Sequence, residues 1–443
     1  MRRAARPVMY LGVLVVVFGL GLIHARWIGE YSFTGTFRFG WTVAYAGLLS
    51  VFAYGFGLPD AHRSRRAALG AAVGASFGGA AAISVIQLFL GDALLPRFVV
   101  FGAAILLPDW YRICVAMANG GRTRAEGRDR VIVVAPAEEV ATVEAELRRN
   151  PERPAALVAR FSAAEAIGSA DDAPLVDAFE AHGATVLVLD REAQDVPDVV
   201  TQAAQLHAAG VRVRSLTLFY EEWLGKVPIA ELERASMLFD IGELHRAGYS
   251  RAKRVVDVPI AAVGLLVLVV VTPFVWLANL AGNQGPLLYR QARVGKGGRE
   301  FTILKFRTMR PQPSGDLVNE WTAENDDRVT PVGRLLRRTH LDELPQVINV
   351  LKGDLGIVGP RPEQPHYVEQ LSEKLPFYNL RHLVRPGLTG WAQVKYGYAG
   401  SESDALEKLQ YDFWYLRHQS LSTDLKIVGR TVRSVFGSEG RGR

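Results

Sequence analysis

Carboxylates and cations crowd together between residues 291 and 361 in a pattern that a plain hydrophobic core does not call for. Arg334, Arg337 and Arg338 lead through His340 into Asp342, Glu343 and Pro345, after which Val347, Ile348 and Leu351 recur at helical spacing as far as Gly353. Proline is tolerated only in the first turn of a helix. That places Asp342 and Glu343 at a helix N-terminus, where backbone donors and the dipole favour anions. One reading makes Asp342 an N-cap and Glu343 a favourable first-turn charge, an arrangement worth about 1 kcal/mol. The neighbouring arginines point to other chemistry. Mg2+-assisted phosphoryl transfer needs a carboxylate nucleophile, a metal on the equatorial oxygens and arginines on the leaving group.

Three further clusters surround this one. Gln291, Arg293, Gly295 and Lys296 precede an alternating stretch, Phe301 to Leu304, that leads to Lys305 and Arg307. Lys296 and Arg299 fit a membrane flank as well as a site, whereas Lys305 and Arg307 suit phosphate binding. The segments Gly353 to Pro362, containing Arg361, and Arg385 to Gln393 interleave glycine, proline and arginine. Glycine lets backbone approach a phosphate and proline aims the arginine; two tight structural turns are the alternative. The aromatic, basic stretch Lys408 to Arg417 fits either the membrane interface or a buried core.

The elements that must position these groups follow from composition. The 443 residues sum to +6, but residues 1–130 carry a net +8, residues 131–250 a net −10 and residues 251–443 a net +8. Length alone suggests about three domains: 1–120, 121–250 and 251–443. With 49% hydrophobic residues a mostly disordered chain is excluded. The lone cysteine, Cys114, excludes an internal disulfide framework and a multi-cysteine metal site.

Four runs precede residue 120: Pro7 to Ala25, Phe39 to Pro59, Ala67 to Leu90, and about Ala93 to Met117. Each is near the 20 or so apolar residues that cross a bilayer, so a four-helix membrane domain is expected. Basic clusters at Arg2/Arg3/Arg6, Arg63/Arg65/Arg66 and Arg122/Arg124/Arg128/Arg130 follow every second boundary and place both ends of the bundle in the cytoplasm. A fifth run is free of charge from Val258 to Tyr289 yet basic on both flanks. A helix that enters the membrane and returns satisfies both flanks, with the Thr272-Pro273 step as its break and the Thr272 hydroxyl relieving part of the freed backbone. An ordinary crossing with a proline kink is the alternative.

The acidic middle alternates short apolar strands (131–136, 155–160, 184–190, 211–216) with helical stretches, the pattern of a Rossmann-like parallel sheet. Its first turn carries Pro136, Glu138 and Glu139 where a phosphate-binding turn needs glycines, so no dinucleotide is expected. Tyr249 and Lys253 stand at the spacing of a short-chain dehydrogenase pair, but after the sheet has ended; that match reads as accidental.

The ordered motifs KR-x-x-D (from Lys253), GP-x-x-x-x-Q-x-RVG (from Gly285), KFRTM (from Lys305), DELPQ-x-x-N-x-L-x-GD (from Asp342), GPRP (from Gly359), RPG-x-TGWAQV (from Arg385) and YD-x-x-Y (from Tyr411) resemble the bacterial sugar transferases known as polyprenyl-phosphate glycosyl-1-phosphate transferases. The fold this implies is an α-helical membrane domain with four N-terminal helices, a Rossmann-like parallel-sheet domain, and an α/β-mixed catalytic domain on a re-entrant helix. The resemblance implies transfer of a sugar-1-phosphate from a UDP-sugar to undecaprenyl phosphate at the cytoplasmic face of the bacterial inner membrane, starting exopolysaccharide, capsule or O-antigen assembly. It assigns Asp342 as nucleophile and Mg2+ contact, Glu343 as its acidic partner, and Lys305, Arg307, Arg337 and Arg361 as phosphate ligands, with Arg385 and Gln393 on the substrate side. Two departures, Thr272 and Thr308 where serine is commoner, both keep a hydroxyl. Partners implied are the UDP-sugar, the polyprenyl phosphate and the lipid bilayer; a homo-oligomer stays open and no nucleic acid is expected. A nucleotide-sugar dehydratase or epimerase, or an inactive scaffold of polysaccharide export, are the alternatives.

Overall fold

A computed structural model describes residues 5–60, 65–90, 94–119, 128–149, 152–168, 172–228, 247–283, 285–310, 328–375, 377–396 and 402–436. Arg2, Arg3, Arg63, Arg122 and Arg124 of the expected basic clusters lie outside them. The chain divides into two compact units, Met1–Gly225 and Lys226–Arg443.

The N-terminal unit begins with four helices, α1 (Ala5–Trp27), α2 (Phe37–Gly55), α3 (Arg65–Leu90) and α4 (Arg97–Asn119), each packed against the next and α1 against α4. Met9, Val13 and Val17 of α1 are fully buried while Leu11, Leu14 and Val15 on its other face are exposed. A helix that is apolar all round belongs in a lipid environment. Long and apolar enough to cross a membrane are α1, α3, α4 and the later Tyr249–Leu280 segment. The second expected crossing forms as α2, but with 19 residues that include Arg38 it is not among those four.

Four parallel strands follow, β1 (Asp129–Val134), β2 (Ala155–Phe161), β3 (Val186–Leu189) and β4 (Arg212–Ser215), in the order β2-β1-β3-β4. Val131, Val133, Val186 and Val188 face α5 (Ala137–Arg149), Phe219 and Trp223, whereas Ile132, Val134, Leu187 and Leu189 face α6 (Pro174–His182) and α7 (Pro197–Ala208). Burial on both faces is why the two central strands read as unbroken apolar runs and not as alternations. Helix α5 opens with Glu138 and Glu139 in its first turn.

The C-terminal unit is organised around one long helix, Ala247–Gly282. At 1.5 Å per residue its 36 residues span about 54 Å. It continues through Pro273, and the Thr272 hydroxyl donates to the Leu268 carbonyl at 2.6 Å. That is the carbonyl of Thr272's own helical turn and not the Val269 carbonyl that Pro273 leaves without a donor, so the hydroxyl does not meet the freed group; the helix, moreover, is one continuous element across the Thr272-Pro273 step rather than two halves.

Both ends of this helix are fastened to the same unit. Near its start, Tyr249 Oη and Lys253 Nζ donate to Asp424 Oδ2 at 2.7 and 2.6 Å, while Tyr415 Oη donates to Oδ1 at 2.8 Å. Arg254 donates to the carbonyls of Val350 and Leu351. Just past its end, Asn283 Nδ2 donates to the Arg307 carbonyl at 2.7 Å. Between these anchors Leu268 and Val275 are buried against Phe306, Leu336 and Val347, while Val269, Val270, Phe274, Leu277 and Leu280 are exposed on the other side. Tyr249 and Lys253 thus belong to a buried ionic anchor with Asp424.

The rest of the unit is a two-stranded antiparallel ribbon, β5 (Leu288–Val294) with β6 (Glu300–Phe306), a short parallel pair, β7 (Gly356–Val358) with β8 (Gly387–Thr389), and surrounding helices. The Glu402–Arg417 helix buries Leu409, Tyr411, Phe413, Tyr415 and Leu416. Of its two sequence readings, the structure takes the core one. Burial runs round every side of it, since Gln410 and Asp412 are buried as well.

Candidate active site

The central carboxylates sit on a tight turn instead of an α-helical N-terminus. Pro331–Arg338 forms a helix, His340 adopts a left-handed conformation with φ of +56°, and Leu341–Gln346 then forms a 3-10 helix that runs into the α-helix Val347–Lys352. A non-glycine residue in that region costs about 1 kcal/mol, so packing around the turn must hold it. The N-cap position belongs to His340, not Asp342, which corrects the capping alternative. Pro345 closes the 3-10 segment, and Gly353, with φ of +95°, ends the helix where the sequence placed its stop.

From this turn the two carboxylates meet different surroundings. Glu343 Oε1 accepts from Lys305 Nζ at 2.9 Å and from Arg361 Nη2 at 3.1 Å. Burial works to raise the Glu343 carboxyl, but Lys305 and Arg361 outweigh it and hold the group well below the usual carboxylate range. The Asp342 carboxylate has no hydrogen bond or ion pair with any described residue. Burial, with the Glu343 charge second, pushes it up to about 6 against the pull of Lys305, Arg337 and Arg361. Two adjacent carboxylates are thereby driven apart in acidity, a pattern typical of sites where one group reacts and the other stays fixed.

The cations arrive from three elements. Lys305 comes from the end of β6, which packs on the 3-10 turn. Burial lowers the Lys305 ammonium below its usual range, against the raising effect of Glu343. Arg337 lies in the last turn of the helix before the 3-10 segment, and its Nε donates to Thr308 Oγ1 at 3.0 Å. Thr308 therefore orients a site cation, which explains why the hydroxyl is kept. Arg361 follows β7 and completes the set around Glu343.

Arg307 is not part of this group. Its guanidinium turns to the end of the long helix, where Nη2 donates to the Asn283 carbonyl at 2.9 Å, and a Cβ on Gly285 would come within 2.2 Å of its Nη1. Its contacts fasten the end of the ribbon to the end of the long helix, and none of them brings it to the Asp342–Glu343 pair. Lys305 and Arg307 stand two residues apart, the spacing that shares one side of a strand, but β6 ends at Phe306, so strand alternation no longer sets where Arg307 points.

Glycines in the two turns sit at close approaches. A Cβ on Gly359 would meet the Arg385 carbonyl at 2.4 Å, and one on Gly387 would meet the Gly359 nitrogen at 2.1 Å. They permit the two turns to lie against each other, backbone on backbone. Arg385 contributes its carbonyl to that contact, and Gln393 lies on the short Trp391–Lys395 helix with a buried Oε1 that has no hydrogen-bond partner. Neither is brought to the Asp342–Glu343 pair by any contact in the structure.

Sequence reasoning missed Arg381, Asp412 and Asp424 as organising groups. They stand far from Asp342 in sequence, and only the YD-x-x-Y motif gave a signal for one of them. As to metal, no group of three or more His, Cys, Asp or Glu side chains is set to cage an ion among the described residues. Mg2+ keeps most of its shell as water and substrate phosphate and binds through one or two carboxylates. The unengaged Asp342 suits that mode.

Residues 248–438 match the family described as bacterial sugar transferase. The chain is 47% identical over 154 residues to the UDP-N-acetylgalactosamine-undecaprenyl-phosphate N-acetylgalactosaminephosphotransferase of Aeromonas hydrophila, covering 35% of this chain and 36% of that one. It is 44% identical over 188 residues to the UDP-glucose:undecaprenyl-phosphate glucose-1-phosphate transferase of Escherichia coli K12, covering 42% and 40%. A protein of the same name from Caulobacter vibrioides is 43% identical over 203 residues, 45% of this chain and 74% of that one. The chain thus spans about two fifths of the length of the first two relatives.

Proposed function

This chain belongs to the bacterial sugar transferase family, and we propose that it moves a sugar-1-phosphate from a UDP-sugar onto a polyprenyl phosphate, with release of UMP, at the cytoplasmic face of the bacterial inner membrane. The observation that carries the reading is the division of labour at the 3-10 turn: an unengaged, half-buried Asp342 beside a Glu343 pinned between Lys305 and Arg361. The Asp342 carboxylate attacks the phosphorus that bears the sugar and the UMP oxygen leaves. The acceptor's phosphate then attacks the same phosphorus, which frees Asp342 and forms the sugar diphosphate lipid. Arg337 and Arg361 steady the phosphate oxygens through both displacements. Asp342 would be the residue to hold Mg2+, which would supply charge neutralisation for the diphosphate. Glu343 keeps its charge throughout and positions the two cations, so it does not serve as an acid. The relatives' names, which print UDP-glucose, UDP-N-acetylgalactosamine and undecaprenyl phosphate, support the substrate classes.

The test is direct. Purified protein in nanodiscs, given undecaprenyl phosphate and Mg2+, should release UMP from at least one of a panel of UDP-sugars and stop when EDTA is added. Nicotinamide absorbance in the purified protein, with no UMP formed, would favour the dehydratase alternative instead.

The long helix enters and leaves on one side of the membrane in this reading. Its support is that both ends are tied to the same unit while an apolar stripe runs exposed between them. Single cysteines at Ser250 and Arg299, in a Cys114→Ser background, should both resist an impermeant maleimide in intact spheroplasts and both react after lysis. Labelling of just one in intact spheroplasts would establish a crossing.

A further inference from the structure

Residues 360–363 form no regular element, and Pro360 and Pro362 contribute no N–H. Four successive carbonyls there are nevertheless satisfied, each by a donor from elsewhere. Gly387 N donates to the Pro360 carbonyl at 2.9 Å and Arg381 Nη2 to that of Arg361 at 3.0 Å. Arg293 Nη1 donates to Pro362 at 3.1 Å, and Val294 N to Glu363 at 2.9 Å. The segment that carries Arg361 is therefore shaped from outside, and the two side-chain donors are both arginines.

Arg381 is the more deeply set of the two. Its side chain is 6% exposed, Nη1 donates to Tyr378 Oη at 2.6 Å, and Nη2 donates to Asp412 Oδ2 at 2.7 Å as well as to the Arg361 carbonyl. Asp412 is itself 2% exposed, in the middle of the Glu402–Arg417 helix. A charge this buried is retained only when its geometry is satisfied on several sides. Tyr378 and Asp412 fix the orientation of the planar fork, and the fork fixes one carbonyl of the Arg361 turn.

We propose that Arg381 is a positioning residue of the transferase reaction: set by Asp412 and Tyr378, it holds the backbone of Arg361 so that the Arg361 guanidinium meets Glu343 beside Asp342. It touches neither carboxylate of the catalytic pair, and its effect on turnover passes through Arg361. Displacement of a charged side chain by about 1 Å can cost on the order of a hundredfold in rate. The proposal rests on the transferase reading and adds a residue to it.

Arg381→Lys keeps the charge but cannot fork to three acceptors. In the full chain, with whichever UDP-sugar the parent turns over, it should lower kcat about 10- to 100-fold and move KM for the donor less than about threefold. The decisive arm is a double-mutant cycle with Arg361→Lys, which keeps the carbonyl that Arg381 holds. In that background Arg381→Lys should cost less than about twofold more, because the side chain it positions has already lost its geometry. Multiplicative losses in the cycle would overturn the proposal, as would a loss of activity that simply tracks a loss of folded protein. Should Arg381→Lys fail to fold, Asp412→Asn in the same cycle reads the same coupling. A parent chain that releases no UMP would instead overturn the transferase reading, so the two failures are distinguishable.

Discussion

Asp342→Asn is expected to abolish UMP release, by at least about a thousandfold, while making the protein more stable at neutral pH. The first effect follows from removing the nucleophile. The second comes from its setting: the Asp342 carboxyl is pushed up to about 6 by burial and by Glu343, above the roughly 3.9 of an unfolded chain. A raised carboxyl favours the fold below about pH 3.9, and that contribution is lost as pH rises through about 6, so the ionised group at neutral pH is a cost. Two pKa units correspond to nearly 3 kcal/mol; solvent contact reduces this to about 1–2 kcal/mol. Calorimetry of the Mg2+-free protein at neutral pH should show a higher melting temperature for the variant, and at pH 4 little difference. Residual UMP release comparable to the parent would remove Asp342 as nucleophile. A lower melting temperature at neutral pH would contradict the electrostatic account.

Glu343→Gln should damage both fold and turnover, in contrast to its neighbour. It leaves Lys305 and Arg361 partly buried without their shared carboxylate. Breaking a fully buried pair costs about 3–5 kcal/mol; here, with the three side chains 18 to 33% exposed, about 1–3 kcal/mol is expected. Glu343's folded carboxyl lies below its unfolded value, so its stabilisation is present above about pH 4.3 and lost as pH falls through the folded value. The destabilisation by Glu343→Gln should therefore be large at pH 7 and shrink in strong acid. Turnover should fall about a hundredfold as the two cations lose their common anchor. Because the Glu343 charge raises Asp342, the acid limb of the pH–rate profile should move to lower pH in the variant, not vanish. Disappearance of the limb would mean that Glu343 itself exchanges a proton in the reaction.

Local patterns told much of this in advance. Apolar runs marked α1, α3, α4 and the long helix because a bilayer-length stretch without charge has few other uses. The sheet was legible because strands buried on both faces leave unbroken valine and leucine runs between amphipathic helices. Asp342, Glu343, Lys305, Arg337 and Arg361 were legible as one chemistry because residue types that phosphoryl transfer needs recur in a short span. What periodicity could not give was direction. Lys305 and Arg307 look alike in sequence, yet one meets Glu343 and the other packs against Gly285.

Residue type and short-range spacing thus sufficed for the membrane-length helices, for the parallel sheet, and for the crowding of Asp342 and Glu343 with Lys305, Arg337 and Arg361 in one span of sequence. Tertiary structure alone decided that Asp342 is left unengaged while Glu343 is held, that Gly359 and Gly387 serve contact between turns, and that Arg381 and Asp424 organise the unit from a distance. The reason is physical. Burial and the partners of a charge depend on segments that meet only when the chain closes on itself, and no local pattern records which will meet.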